Sequence, residues 1–360
     1  MKSVSLASKG RLREPYKPGL FHGLAYRLVT RQLSRLEHGH LRLVDGEKVL
    51  QFGQRREQAA LCADIHVLNP AFYADVAFGG SIGAGEAYMQ GAWQCDDMVE
   101  LVRMLVRNRH VLEGMERGAA RLTRPLQKLF HWANRNTRSG ARRNIAAHYD
   151  LGNDFFALWL DESMMYSSAM FARADMTLAE AQRHRLDVIC RKLQLGPNDH
   201  VMEIGTGWGG FALHAAREYG CRVTTTTISR EQHRLAGERI RAAGLGDRVT
   251  LLQDDYRDLG GQYDKLVSIE MIEAIGAEQF DTYFAKCSDL LKPGGRMLIQ
   301  AITIADRQYE AYRRGVDFIQ RYIFPGGLLP ALSVMTGSIA RATGLLVTSV
   351  EDIGLDYART

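Results

Sequence analysis

Val201-Met202-Glu203-Ile204-Gly205-Thr206-Gly207-Trp208-Gly209-Gly210 decides the fold of this chain. An apolar run ends in an acidic residue, and glycines then fall at positions 205, 207 and 209 before the apolar periodicity of Phe211 to Ala216 begins. That order predicts a buried parallel strand, a tight turn and the start of a helix. Glycines so placed let the backbone take dihedrals closed to other residues and bring its N–H groups against a ligand. The spacing E-x-G-x-G-x-G is not the G-x-G-x-x-G of dinucleotide sites, and no Lys-Ser/Thr follows to make a phosphate loop. Glu203, two residues before the first glycine, suits a ligand with a cationic amine.

Outward from this turn the second half alternates regularly. Helices are predicted over 177–193, 211–219, 230–243 and 277–291, and strands over 200–204, 222–228, 249–253, 265–269 and 296–303. This is the pattern of a doubly wound, mainly parallel sheet. Its ligand crevice lies at the strands' carboxyl ends, where Thr227-Ile228-Ser229, Asp254-Asp255-Tyr256 and Glu270 to Glu273 should gather beside the glycine turn. The second strand ends in Thr226-Thr227 with no acid for a ribose, which argues against NAD. A cationic ligand such as S-adenosylmethionine fits better.

The first half reads differently. A helix is predicted over 23–36, a hairpin around Asp45-Gly46, a strand at 65–68, a short helix and turns over the glycine-rich stretch 72–91, and a helix 98–106 capped by Asp96-Asp97. These make a small α+β domain, 1–106, joined by a basic helical linker, 107–142, to the domain 143–360. The length of 360 residues suits two domains. The net charge is +5, yet residues 101–145 hold eleven Lys/Arg against Glu113 and Glu116. Leu101, Val102, Leu105, Leu126, Phe130 and Trp132 are interleaved with them, which suits an anionic lipid surface better than nucleic acid. A solvated helical face is the alternative. Five scattered cysteines without a C-x-x-C pair read as free thiols in a reducing cytoplasm, and no metal site is expected. No apolar run reaches eighteen residues, and the N-terminus lacks a secretory core.

Several further motifs occur in order: H-Y-D-L-G-N-D-F-F (148–156), Y-S-S-A-M-F (166–171), T-I-S-R-E-Q (227–232), M-I-E-A-I-G (271–276), Y-I-F-P-G-G-x-L-P (322–330) and G-L-D-Y-A (354–358). With the glycine turn they resemble the cyclopropane-fatty-acyl-phospholipid synthase family over about 145–360. G-E-A-Y-M-Q-G-A-W (85–93) is similar to the N-terminal lipid-binding domain of its bacterial members. The resemblance implies a Rossmann-like class I methyltransferase domain behind an α+β lipid-binding domain. It implies methyl transfer from S-adenosylmethionine to a cis double bond of a phospholipid acyl chain, and then proton loss and ring closure. The expected enzyme is cytoplasmic and peripheral at an anionic membrane; a homodimer and a further helical segment after residue 360 are also expected.

For the methyl donor, the resemblance assigns Tyr166, Ser167, Glu203, Gly205, Gly207, Gly209, Thr227, Ile228, Ser229, Gln232, Tyr256 and Arg257, with Gln232 taking the ribose contact. For catalysis, it implies a bicarbonate base held by Glu273, the Ile302 backbone, Tyr357 and two positions where this chain departs. Ser168 stands where the family has Cys, and Gln300 where it has His; both retain hydrogen-bonding capacity. Glu270 is a second carboxylate nearby, read as a helix N-cap rather than a catalytic group. Tyr309, Tyr312, Phe318, Tyr322 and Phe324 read either as plain core or as the lining of a lipid tunnel. Methyl- or methylene-branched products, small-molecule N-methylation and a silent lipid-binding protein are the competing readings.

Overall fold

The computed structural model describes residues 20–54, 61–117, 140–141, 144 and 152–360. They fall into two compact units divided at Leu129/Phe130. In the first, α1 (Leu20–Leu33) precedes β1 (Gly39–Asp45), β2 (Lys48–Gln54) and β3 (Cys62–Val67). Next come α2 (Ala71–Met89), β4 (Trp93–Cys95), α3 (Met98–Arg107) and α4 (Arg109–Arg117). β1 and β2 form the expected hairpin, β3 joins parallel to β1, and β4 closes the four-stranded sheet in the order β2-β1-β3-β4. The stretch expected to hold a short helix and turns is instead one long helix, α2, broken only at Gly80, where φ is 60° and ψ −141°. Tertiary packing overrides the low helix propensity of its glycines, for Phe72, Tyr73, Val76 and Ala87 are all buried in the unit's core. Asp97 caps α3 by accepting from the Glu100 N–H. Of the expected linker 107–142, residues 118–139 and 142 lie outside the described residues; 109–117 form α4, which packs on α1, α2 and α3.

The second unit carries five parallel strands: β5 (His200–Ile204), β6 (Arg222–Thr226), β7 (Val249–Leu252), β8 (Tyr263–Ile269) and β9 (Leu291–Gln300), in the order β7-β6-β5-β8-β9. Side chains alternate across this sheet as pleating demands. Val201, Val267 and Ile269 join one core with α5 (Leu178–Leu193) and α6 (Gly210–Glu218). Met202, Ile204 and Leu266 join another with the helix Phe280–Leu290. Thr177 opens α5 with a complete capping box to Glu180. The strand order reverses between β5 and β8, so the carboxyl ends of these two strands open a crevice. Short helices at 306–313, 318–322, 332–342 and 354–357 had no counterpart in the sequence reading. No helix among the described residues is long and apolar enough to cross a membrane.

Candidate active site

The crevice is a cavity of about 520 Å³ built entirely from the second unit. One wall is the glycine turn. Gly205 has φ +104°, and a Cβ there would meet the Met271 side chain at 3.2 Å, so the turn needs glycine both for its backbone and for its closeness to the opposite wall. Glu203, 2% exposed, accepts a 2.6 Å hydrogen bond from Thr225 Oγ1. Burial pushes its pKa up to about 8, and a cation beside it would favour the ionised form. Thr227, Ile228, Gln232, Tyr256 and Arg257 continue this wall from the ends of β6 and β7. Thr227 Oγ1 donates to Gln232 Oε1 at 2.8 Å, and Arg257 holds the buried Asp255 through Nε and Nη2 at 2.8 and 2.6 Å. Ser229 and Gly209 stand behind the wall: each caps a helix, Ser229 by accepting from the Gln232 N–H. Tyr166 and Ser167 line the cavity from the loop 164–168, and Ser167 Oγ is buried without a partner.

The opposite wall is apolar: Tyr312, Ile319, Ile323, Phe324, Leu328 and Leu329 face the cavity, and Tyr166 stacks on Phe324 with ring centroids 6.4 Å apart. Of the five aromatics expected for a lipid tunnel, Tyr312 and Phe324 reach it. Tyr309 is buried in the core, and Phe318 and Tyr322 pair with each other instead.

Between the walls lie Glu270, Glu273 and Ile302, at the ends of β8 and β9, and Tyr357, on the short helix 354–357. Glu273 Oε1 accepts from the Ile302 N–H, while its Oε2 is buried with no partner. Burial, reinforced by the nearby Glu270 charge, raises Glu273 to about 8. Glu270 is not an N-cap; the residue that precedes the 3₁₀ turn 272–274 is Met271, which caps nothing. Glu270 instead takes φ +47°, rare outside glycine, and its Oε1 accepts from the Ser168 N–H at 2.9 Å and Gln300 Nε2 at 2.8 Å. Burial raises its pKa, and those two donors and the Arg185 charge oppose the rise.

Ser168 and Gln300 do not line the cavity. Ser168 Oγ donates to the Ala169 carbonyl; Gln300 Nε2 donates also to Ser168 O at 3.0 Å, and its Oε1 accepts from Arg185 Nη1 at 3.3 Å. The fully buried Arg185 completes the bracing through Nη2 to Gln182 Oε1 at 2.7 Å. Of the five groups expected around a bicarbonate, three already bond within the protein: the two side chains at 168 and 300, and the Ile302 N–H. An added anion would face the Glu270 carboxylate, with only Tyr357 and a protonated Glu273 to hold it. The corner does not fit bicarbonate.

The C-terminal residues cover the loop 166–174. Thr360 Oγ1 accepts from the Ala169 N–H, and the Arg359 guanidinium lies 3.9 Å from the Phe171 ring centre. His148, Tyr149, Asp150 and Leu151 lie outside the described residues; further along that motif, Asn153 Oδ1 accepts at 2.7 Å from Nε1 of Trp208, a residue that lines the cavity. A second cleft of about 540 Å³ lies among α5, α6 and the helix Arg230–Ala242. Its central cation, Arg239, is already spent on the carbonyls of Glu162, Ser163 and Trp208.

The family model for mycolic acid cyclopropane synthetase matches residues 136–360. A tuberculostearic acid methyltransferase of Mycobacterium tuberculosis is 41% identical over 78% of this chain and 67% of its own length. A cyclopropane-fatty-acyl-phospholipid synthase of Escherichia coli is 39% identical over 83% of this chain and 74% of its own. The crystal structure of the mycolic acid cyclopropane synthase CmaA1, complexed with SAH and CTAB, superimposes with a TM-score of 0.56 at 33% identity, covering 61% of this chain and 79% of that one. The parallel sheet, the glycine turn on β5 and these matches agree: the chain belongs to the mycolic acid cyclopropane synthetase family and is an S-adenosylmethionine-dependent methyltransferase of the cyclopropane-fatty-acyl-phospholipid synthase type.

Proposed function

We propose that this enzyme methylates the cis double bond of an unsaturated acyl chain in a membrane phospholipid and converts it to a cyclopropane. The observation that carries this reading is one cavity that joins three surfaces: a cation-seeking glycine wall, an apolar wall and a buried carboxylate pair. Gly205, Gly207, Tyr166, Thr227, Ile228, Gln232, Tyr256 and Arg257 would hold the donor, with Glu203 facing its cationic end. When bound, S-adenosylmethionine supplies an electrophilic methyl group on a sulfonium. The chain's task is to hold a weak nucleophile in line with that methyl and to exclude water, which the apolar wall is suited to do. The aromatic faces of Tyr166 and Phe324 and the Glu270 carboxylate would supply negative potential to an acyl carbocation formed in the cavity. Bicarbonate has no part in this reading, because the donors it needs are spent.

Membrane association is part of the proposal. On α3, Leu101 and Met104 are buried while Val99, Val102 and Val106 are half-exposed or more beside Arg103 and Arg107. Apolar side chains flanked by arginines suit the interface of an anionic bilayer. A second product class, a methyl- or methylene-branched chain, is favoured by the departures at Ser168 and Gln300 and by the name of the Mycobacterium tuberculosis relative. It would arise from the same cation. The test is to incubate the protein with labelled S-adenosylmethionine and vesicles of unsaturated phospholipid, and to identify the acyl product by mass spectrometry before and after hydrogenation. A labelled acyl chain heavier than its unsaturated parent by one CH2 that takes up no hydrogen supports the cyclopropane; uptake of hydrogen, or a chain heavier by CH4, supports the branched class; no label in acyl chains overturns the reading.

A further inference from the structure

We propose that Glu270 is the catalytic base of this enzyme, a built-in carboxylate that occupies the place of an exogenous bicarbonate. The inference rests on the proposed methyl transfer to an alkene. Its observations are independent of the acyl substrate.

Positions 168 and 300 are two of those from which a bound anion was expected to be held. In this chain both positions do donate to an anion, and the anion is Glu270. The Ser168 N–H and Gln300 Nε2 converge on Oε1 at 2.9 and 2.8 Å. Arg185, buried beneath them, donates to Gln300 Oε1 and so holds the carboxamide with its Nε2 turned toward Glu270. Gln300 is suited to this arrangement because it accepts from the cation at one end and donates to the carboxylate at the other. Glu270 Oε2 takes part in neither hydrogen bond, and the residue lines the cavity beside Met271 and Glu273. The backbone pays a strain for this placement: φ is +47° at Glu270, a left-handed conformation that a glutamate adopts only where its surroundings impose it. A side chain retained there for mere packing would be better replaced by glycine or asparagine.

The neighbouring carboxylate divides the roles. Glu273 accepts one hydrogen bond, from the Ile302 N–H, and Oε2 is buried without a partner, the arrangement of a protonated acid. Glu270, with two donors and a buried guanidinium behind them, is the anion of the pair. The balance is then complete within the protein. The alkene π pair forms a C–C bond to the sulfonium methyl as the C–S bond breaks, its pair going to sulfur, and the adjacent acyl carbon becomes cationic. Glu270 Oε2 takes a proton from the transferred methyl. The C–H pair closes the three-membered ring, and the carboxylic acid returns its proton to solvent.

The experiment compares the full-length protein with Glu270→Gln and Glu270→Gly in carbonate-scrubbed and bicarbonate-supplemented buffer. Acyl methylation is read alongside S-adenosylmethionine affinity and the binding of ¹³C-bicarbonate followed by NMR. The unsubstituted protein is expected to turn over equally well in both buffers and to show no saturable bicarbonate binding. Glu270→Gln should lose roughly 100-fold in turnover, the scale of general-base catalysis, with donor affinity unchanged. Glu270→Gly relieves the backbone and opens an anion-sized space, so it should bind bicarbonate and recover turnover when bicarbonate is added. Loss of activity of the unsubstituted protein on scrubbing, saturable bicarbonate binding to it, or full turnover by Glu270→Gln would each overturn the assignment. Failure of the acyl substrate alone would leave the bicarbonate-binding result intact, so the two readings fail separately.

Discussion

The two sides of the cavity are built by different means. The donor wall is local: strand, turn and helix follow one another within residues 200–218, and the ligand-facing groups are backbone atoms exposed by glycines. The acceptor corner is assembled from distant pieces, with Ser168 bonded to a residue 102 positions away and to Gln300 132 positions away. A wall made by backbone geometry tolerates little substitution and is insensitive to side-chain chemistry elsewhere. A corner made by side chains can exchange one anion for another while the fold stays the same.

Substitutions should separate the two sides. Gly205→Val forces a β-branched residue to φ +104° and drives its side chain into Met271, so donor affinity should fall more than about 10-fold by titration calorimetry, given a strain of roughly 1–3 kcal/mol. Unchanged affinity would mean that the turn does not meet the donor. At the acceptor corner, Glu273→Gln preserves a group that accepts from Ile302 and donates from its other end. Turnover should fall by about 10-fold, less than for Glu270→Gln, with donor affinity intact. A deeper loss at 273 than at 270 would reverse the division of roles.

The pH behaviour should sharpen the contrast. Glu203 is raised to about 8 by burial, so its neutral form is favoured in the folded protein, and stability falls as pH rises from the ordinary carboxylate range, where the unfolded chain ionises, toward that value. A cationic donor favours the ionised form. Donor binding at pH 7 should therefore release part of a proton, seen as a dependence of the calorimetric enthalpy on the buffer's ionisation heat. Buffer-independent enthalpies would remove Glu203 from contact with the cation. The smallest effect is expected at the first unit: Val102→Asp on α3 should weaken binding to anionic vesicles several-fold in a sedimentation assay, and binding should fall with salt. Equal binding of both proteins would place the membrane contact elsewhere.

The same contrast explains what could be read from the chain. The strand-helix alternation from 177 to 303 and the position of the crevice were legible because apolar runs, caps and glycines act within a few residues. α2 was not, since its glycines argue locally against a helix that packing of Phe72, Tyr73 and Val76 sustains. Glycine positions 205 and 207 and the residues 227, 228, 232, 256 and 257 do line the cavity, whereas Ser229 and Gly209 support it from behind. At the acceptor corner the sequence named Ser168, Gln300 and Glu270 and missed their mutual pairing. A signal was present: an extra carboxylate accompanies two departures that remove Cys and His, but nothing in spacing shows that the three residues meet. Arg185 was missed as well, because an arginine in an amphipathic helix reads as solvated until burial is seen.

The central claim is that a transferred methyl loses a proton to a base at the acceptor corner. It is tested most directly with S-adenosylmethionine bearing a fully deuterated methyl group and vesicles of unsaturated phospholipid, with the acyl product analysed by mass spectrometry. The account predicts an acyl chain that gains one carbon carrying two deuterium atoms. A chain that retains all three, or label confined to the headgroup, would contradict it.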